Sequence, residues 1–160
     1  MLKHKQLMLM VPGLVKQEGK MDFYQALSPQ GVYQTINVAR KIKEDPCDNP
    51  EFIFSATALY IRQTAEILHH VFPLAEQVFR DNLYTANKEN LLHFLSHLDD
   101  IFECLLILSE AVPIQKLVAQ LTGQKHKLLP SACLCICWPL NQSWKTIGQS
   151  NGQLTQLWMP

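Results

Sequence analysis

Apolar residues recur at helical spacing through much of this 160-residue chain, and residues typical of helix ends separate the periodic segments. The first segment begins after Ser28, a good capping residue, and Pro29, which suits the first helical position. Its apolar stripe continues towards Pro46 and consists of Val32, Ile36, Ala39 and Ile42. The pattern predicts a helix that starts at Pro29 and ends before Pro46.

A second periodic segment repeats these signals. Asn49 is a capping residue, and Pro50 again suits the first turn of a helix. The apolar stripe that follows consists of Ile53, Ala56, Tyr60, Ile67 and Val71. We predict a central helix over residues 50–71, followed by a shorter helix from Pro73 to about residue 84.

A third periodic segment begins after Asn87, another capping residue. Its apolar stripe consists of Leu91, Leu95, Leu98, Phe102 and Leu105. We predict a long helix over residues 88–110. A short helix after Pro113 is expected to end at Gly123, because glycine favours the left-handed conformation that closes many helices.

The second and third segments resemble each other in the order of their features. In each, a long helix is followed by a proline and a short helix, and Pro73 and Pro113 are 40 residues apart. Helical-repeat units usually have periods of about 34–47 residues. We therefore predict an all-α fold, either a compact antiparallel helical bundle or a short HEAT- or armadillo-like helical-repeat fragment.

Composition divides the chain into three parts. Residues 1–20 show no clear periodicity and are interpreted as an N-terminal extension, and residues 21–123 as the helical domain. Residues 124–160 contain three lysines and no acid, and helical periodicity disappears there. We expect an irregular tail, which either caps the apolar end of the second unit or is an unrelated ending on a truncated helical-repeat protein.

Three cysteines of this tail occupy alternate positions, Cys133, Cys135 and Cys137. In a strand, alternate side chains lie on one face. Paired zinc ligands are usually separated by two to four residues, so the alternating pattern fits a zinc site poorly. Because free cysteine is commonly a small buried apolar residue, we interpret the three thiols as part of a core.

The formal net charge is zero, but the charge is unevenly distributed. Residues 44–110 carry twelve acidic and three basic residues, while basic residues prevail on both sides. This distribution argues against a nucleic-acid surface, which needs clustered Lys and Arg. No segment approaches the ~18 apolar residues of a membrane span. The five cysteines are an odd number and lack the regular spacing of a secreted, disulfide-bonded protein. We therefore predict a cytoplasmic protein, with the nucleus as the alternative.

Two groups of side chains have the residue types of a metal site. His93, His97 and Asp100 share one stripe of the long predicted helix, with the spacing of chelating residues. Glu66 and His69 have the Glu-x-x-His spacing of di-iron bundles. Polar neighbours are typical of a solvated helix face, so we predict no metal and no cofactor. The alternative is a metal-binding helical bundle that uses these residues.

The sequence contains neither a G-x-S-x-G motif nor a phosphate-binding glycine loop. We therefore predict a non-enzymatic protein-interaction module, acting as an adaptor, scaffold or regulatory subunit. The partner is expected to be another protein, with self-association as a further option. Its docking surface would be either the acidic ridge of Asp99, Asp100 and Glu103 or the helix end near Leu117 and Leu121.

Overall fold

Six strands form one mixed sheet in a computed structural model that describes residues 3–17, 22–45, 47 and 49–160. The strands are β1 (His4–Met10), β2 (Phe52–Ser55), β3 (Glu76–Phe79), β4 (Cys104–Leu108), β5 (Cys133–Pro139) and β6 (Gln153–Trp158). The helices are α1 (Pro29–Glu44), α2 (Leu59–Val71), α3 (Lys88–Ser96) and α4 (Ala111–Thr122). Short 3₁₀ helices cover Asp22–Tyr24, Asp81–Leu83 and Trp144–Gln149. The strand order is β3-β2-β4-β1-β5-β6.

Strand β1 lies in the interior of the sheet. It pairs in parallel with β4, where Leu7 lies opposite Leu105, and antiparallel with β5, where Leu7 lies opposite Ile136. Residues 7–10 are all 0% exposed. A strand with helices over both faces is apolar throughout rather than alternating. This position explains the continuous apolar run Leu7–Val11.

The helices cover two faces because the connections between strands run in two directions. The connections through α1 and α2 carry the chain towards β3, and those through α3 and α4 carry it back towards β5. The connections through α1, α2 and α3 join parallel strands, and such crossovers are right-handed, so α3 lies on the face opposite α1 and α2. Accordingly, α1 packs against α2, and α3 packs against α4. Within the described ranges, no helix is long and apolar enough to cross a membrane.

The all-α prediction is wrong, because both predicted long helices combine a strand with a helix. Residues 50–71 contain β2 and α2, and residues 88–110 contain α3, a turn and β4. The predicted helix from Pro73 to residue 84 is replaced by β3 and a 3₁₀ helix. A short apolar run such as Phe52–Phe54 fits a buried strand or a helix equally well by periodicity. The bundle and the helical-repeat fragment are therefore both excluded.

Helix ends are confirmed where capping residues determine them. At the start of α1, the Ser28 hydroxyl accepts a hydrogen bond from the Gly31 amide at 2.9 Å. At the start of α3, Asn87 and Asn90 bond each other's backbone amides through their side chains. At the end of α4, Gly123 has a φ of 73°. These local signals depend on few neighbours, which is why the sequence predicts them correctly.

The predicted extension and the predicted tail both contribute strands to the sheet. β1 comes from residues 1–20, and β5 and β6 come from residues 124–160. Strand β1 pairs with β5 along its whole length, from His4 opposite Pro139 to Met10 opposite Cys133. The proposed boundaries therefore cut through the sheet, and the tail is not irregular.

The three alternating cysteines lie on β5 beside the central strand. Cys133 and Cys135 are buried, and Cys137 is half-buried. The sulfur atoms of Cys135 and Cys137 are 4.0 Å apart, as expected for side chains on one face of a strand. Burial raises the pKa of the Cys133 thiol, which keeps it protonated and apolar.

Lys5 is a buried cation in the central strand. It is 1% exposed, and its Nζ lies 3.2 Å from Asp100 Oδ1 and 4.9 Å from the centre of the Trp144 ring. The carboxylate of Asp100 also accepts hydrogen bonds from the Ser143 hydroxyl and the Trp144 amide, both at 2.7 Å. One carboxylate thus connects β1, the turn before β4 and the segment after β5.

We expect the fold to lose stability in acid through Asp100. Hydrogen bonds from the Trp144 amide and Ser143, followed by Lys5, hold the pKa of Asp100 below its ordinary value of 3.8. A carboxyl group with a lowered folded-state pKa stabilises the fold above its unfolded-state pKa. That contribution is lost as pH falls through the folded-state pKa.

Urea unfolding of the natural chain and of Asp100→Asn at about pH 7 and about pH 2 measures this effect. The difference in their free energies of unfolding should shrink in acid. A difference that is equal or larger at the lower pH would contradict the assignment.

Candidate functional site

A crevice opens at the carboxyl ends of β1 and β4, where neighbouring strands send the chain to opposite faces. Strand β1 leads into α1, and β4 leads into α4. In open α/β sheets, this switch point is the usual place for a ligand. The side chains and loops that follow these two strands therefore make up the candidate site.

The crevice has a volume of about 410 Å³, within the range of small-molecule sites. It is lined by the loop after β1, by Asp22 and Gln25, by Tyr60 at the start of α2, by Glu110 before α4, and by Pro130. A larger depression of about 730 Å³ between the starts of α3 and α4 lies away from the end of β1. We place the candidate site in the smaller crevice because of its position and its polar groups.

The loop after β1 is held by α1 and α2. The Gly13 amide donates to Thr64 Oγ1 at 3.1 Å, and Thr64 Oγ1 donates to the Tyr60 carbonyl at 2.8 Å. The Leu14 carbonyl accepts from the Ser28 amide at 2.8 Å and from the Ser28 hydroxyl at 3.0 Å. One wall of the crevice is therefore fixed by the N-cap of α1 and by the second turn of α2.

Tyr60 and Glu110 form the polar centre of the crevice. Tyr60 is the second residue of α2, and Glu110 is the N-cap residue of α4. The Tyr60 hydroxyl donates a hydrogen bond to Glu110 Oε1. Burial, followed by this hydrogen bond and the charge of Glu110, raises the pKa of Tyr60 above its ordinary value of 10. The phenol therefore stays protonated and positions the carboxylate.

The crevice is electrically negative. Asp22 and Glu110 both line it, and its described lining residues include no Lys, Arg or His. After burial, the charges of the same two carboxylates raise the pKa of the neighbouring Tyr84. A cation about 5 Å from a carboxylate is attracted to it by roughly 3 kcal/mol at an effective dielectric constant of about 20. The site thus attracts a cation, and Glu110 can accept a proton as a general base.

The candidate metal ligands are distributed over two helices and a turn. Glu66 and His69 are exposed on α2. The His93 and His97 rings lie together at the end of α3, with centroids 4.3 Å apart, and Asp100 lies in the ion pair described above. In the part of the chain that the structure describes, no group of three or more His, Cys, Asp or Glu could hold a metal ion.

The residues of the predicted docking surfaces lie in different environments. Asp99, Asp100 and Glu103 belong to the turn before β4 rather than to a helical ridge. Leu117 and Leu121 are 0% exposed and belong to the core. The two leucines therefore offer no surface to a partner, because their apolar stripe already packs within the protein.

Sequence analysis missed Tyr60 and Glu110 as site residues. It assigned Tyr60 to a core stripe and Glu110 to the end of a predicted helix. The available signal was positional, since Pro12-Gly13 follows the apolar run Leu7–Val11 directly, as a turn follows a buried strand. With the strands assigned, residues after parallel strands would have been expected at one sheet edge.

Solved structures share this fold at low sequence identity. A proposed phosphohistidine phosphatase SixA from Nakamurella multipartitia has a TM-score of 0.84 and 16% identity, covering 98% of this chain and 96% of that chain. A second one from Agrobacterium tumefaciens has a TM-score of 0.82 and 16% identity, covering 98% of both chains. The protein histidine phosphatase SixA complexed with tungstate has a TM-score of 0.76 and 17% identity, covering 96% of both. No family model and no curated protein sequence matches the chain.

These similarities correct the functional prediction. The chain has the α/β fold of proteins that are named as phosphatases, which are enzymes. The prediction of a non-enzymatic interaction module depended on an all-α fold and on the missing motifs, and it was wrong. The alternative of a metal-binding helical bundle was wrong for the same reason, because the structure contains no such bundle.

Proposed function

We propose that this chain is a phosphatase that hydrolyses a phosphorus–nitrogen bond in the crevice between β1 and β4. The fold supports the phosphatase class, since the three similar structures are named as phosphohistidine or protein histidine phosphatases. The Tyr60–Glu110 pair carries the proposal within this chain, because it places a fixed carboxylate at the sheet edge. Glu110 is the proposed general base.

The charge of the crevice favours a substrate with a phosphorylated nitrogen. Near neutral pH, phosphoramidate and N-phosphorylated imidazole carry positive charge on the nitrogen-containing group beside a negative phosphoryl group. Asp22 and Glu110 attract that positive charge. A phosphate monoester carries negative charge only, so the same carboxylates repel it.

The reaction needs one proton acceptor. The oxygen of a water molecule bonds to phosphorus, Glu110 accepts the water proton, and the phosphorus–nitrogen bond breaks. Its electron pair goes to nitrogen, which leaves as a neutral amine or imidazole, and inorganic phosphate is the second product. The proton then passes from Glu110 to solvent. Tyr60 keeps its own proton throughout and holds Glu110 in place.

The phosphoryl group needs partial positive charge nearby. Ala111, the first residue of α4, lines the crevice, and no side chain caps this helix start. Backbone amides at the start of a helix are common donors to anionic oxygens. In the proposed complex, these amides face the phosphoryl group, Asp22 faces the nitrogen, and Glu110 faces the attacking water on the opposite side.

We expect Glu110→Gln to lower kcat/KM for phosphoramidate by about 100-fold, because an amide cannot accept the water proton. Phosphate release measures the rate, and circular dichroism checks the fold of the variant. Glu66→Gln is the matched control, since Glu66 is exposed on α2 and does not line the crevice. This control should hydrolyse phosphoramidate at the rate of the natural chain.

Comparison with p-nitrophenyl phosphate tests the preference for nitrogen. The monoester should react more slowly than phosphoramidate or N-phosphohistidine, because it meets two carboxylates without a compensating cation. Phosphate release no faster than the uncatalysed reaction with both nitrogen substrates would refute the proposed activity. Faster hydrolysis of the monoester would refute the proposed substrate class alone.

The cytoplasm is the location we propose for this activity. Cys133 and Cys135 are buried free thiols on β5. Free thiols are maintained in reducing compartments. Fluorescence microscopy of a tagged chain tests this location, and a signal confined to an oxidising compartment would contradict it.

A further inference from the structure

A second cavity, of about 420 Å³, lies between α3 and the β2–β3 side of the sheet. It shares no described lining residue with the crevice that contains Tyr60 and Glu110. Its apolar part includes Phe54 of β2 and Phe94 of α3, whose rings meet edge to face with centroids 4.9 Å apart. Such a surface suits the flat side of an aromatic ring.

The polar part of this cavity is basic. Arg80, His93 and His97 line it, and its described lining residues include no Asp or Glu. The carboxylate nearest to Arg80 in sequence is Asp81, which accepts a hydrogen bond from the Thr57 hydroxyl at 2.7 Å. Among the described residues, Arg80 forms no ion pair. Its guanidinium therefore remains available to an anion.

The two histidines present their rings side by side. Their centroids are 4.3 Å apart, and His97 Nδ1 lies 2.8 Å from the His93 carbonyl oxygen. With a proton on Nδ1 for that bond, the Nε2 atom of His97 is an acceptor in the neutral ring and a donor to an anion in the protonated ring. A third metal ligand is lacking within the described ranges, so the pair does not form a metal site, and Arg80 supplies the permanent positive charge for an anion.

We propose that this cavity binds an aromatic molecule that carries an anionic group. The ring packs against Phe54 and Phe94, and the anion lies between Arg80 and the histidine pair. A planar guanidinium binds a carboxylate or phosphate through two parallel hydrogen bonds, which fixes its orientation. A cavity with an aromatic wall and a few convergent polar groups is typical of a small-molecule site.

The probe for this site is 2-naphthoate, which a phosphatase cannot hydrolyse. Calorimetric titration of the full chain is expected to detect binding, with 2-naphthol and acetate both binding more weakly. Arg80→Gln should weaken 2-naphthoate about tenfold, since it removes a charge-assisted pair. Arg62→Gln is the matched control, because Arg62 is exposed on α2 outside this cavity, and it should bind as the natural chain does.

Three results would overturn the proposal. These are no binding of 2-naphthoate at millimolar concentration, equal binding of 2-naphthol, and unchanged binding by a folded Arg80→Gln. His93→Gln is a second test, because it should also weaken the binding of 2-naphthoate while the circular dichroism spectrum stays unchanged. Glu110→Gln should leave this binding unaltered, which separates the cavity from the proposed phosphatase activity.

Discussion

Gly31→Ala is expected to lower the free energy of unfolding by about 4 kcal/mol, a large part of the stability of a typical domain. Gly31 is the third residue of α1 and lies against the loop after β1. A Cβ atom there would lie 2.2 Å from the Leu14 carbonyl oxygen and 2.9 Å from the Leu14 nitrogen. Both are backbone atoms, and Ser28 holds that carbonyl through two hydrogen bonds. The loop must therefore shift, and one wall of the crevice shifts with it.

Gly148→Ala is the matched control for this substitution. A Cβ at Gly148 would come closest to Leu92 Cδ2, at 3.2 Å, which is the end of a flexible side chain. The change in the free energy of unfolding should stay within about 1 kcal/mol. Urea unfolding followed by circular dichroism measures both variants. Equal losses in the two would mean that the loop after β1 does not pack against α1 as closely as described.

Asp100→Ala is expected to cost about 3 kcal/mol. It leaves the buried ammonium of Lys5 without its carboxylate and removes the acceptor of the Trp144 amide. Breaking a buried ion pair costs about 3–5 kcal/mol when one charge stays behind. The lower end applies here, because the Asp100 side chain is 55% exposed and its charge is partly screened.

Combining this change with Lys5→Met tests the explanation. Methionine fills the buried space of Lys5 without a charge, so the double variant should be more stable than Asp100→Ala alone. Unfolding free energies of both single variants and the double variant form the required cycle. Strictly additive losses would show that the ammonium of Lys5 does not depend on Asp100.

Features that depend on adjacent residues were predicted correctly from the sequence. Features that depend on pairing between distant segments were not. The caps at Ser28, Asn87 and Gly123 involve one helix end each, and the structure confirms all three. The residues of β2 and β4 were placed in helices, because five or fewer apolar residues fit a buried strand or one side of a helix. Only their pairing with the rest of the sheet decides between these structures.

The candidate site was harder to predict than the helices. Tyr60 and Glu110 come from separate strand–helix units, and their hydrogen bond exists because β2 and β4 end at the same edge of the sheet. No local sequence motif predicts that these two residues form a hydrogen bond. The alternating cysteines show how much local spacing can predict. Their spacing places all three on one face if the segment is a strand, but it does not show that the segment is a strand.

The position of β1 also determines when the protein can begin to assemble. This strand is synthesised well before its neighbours in the sheet, since Gln6 pairs with Cys104 on one side and Cys137 on the other. Leu7–Met10 must therefore remain without their final neighbours until β4 and β5 have left the ribosome. Contacts between such distant residues slow folding, and an apolar segment that waits for them is a natural target for chaperones or for aggregation.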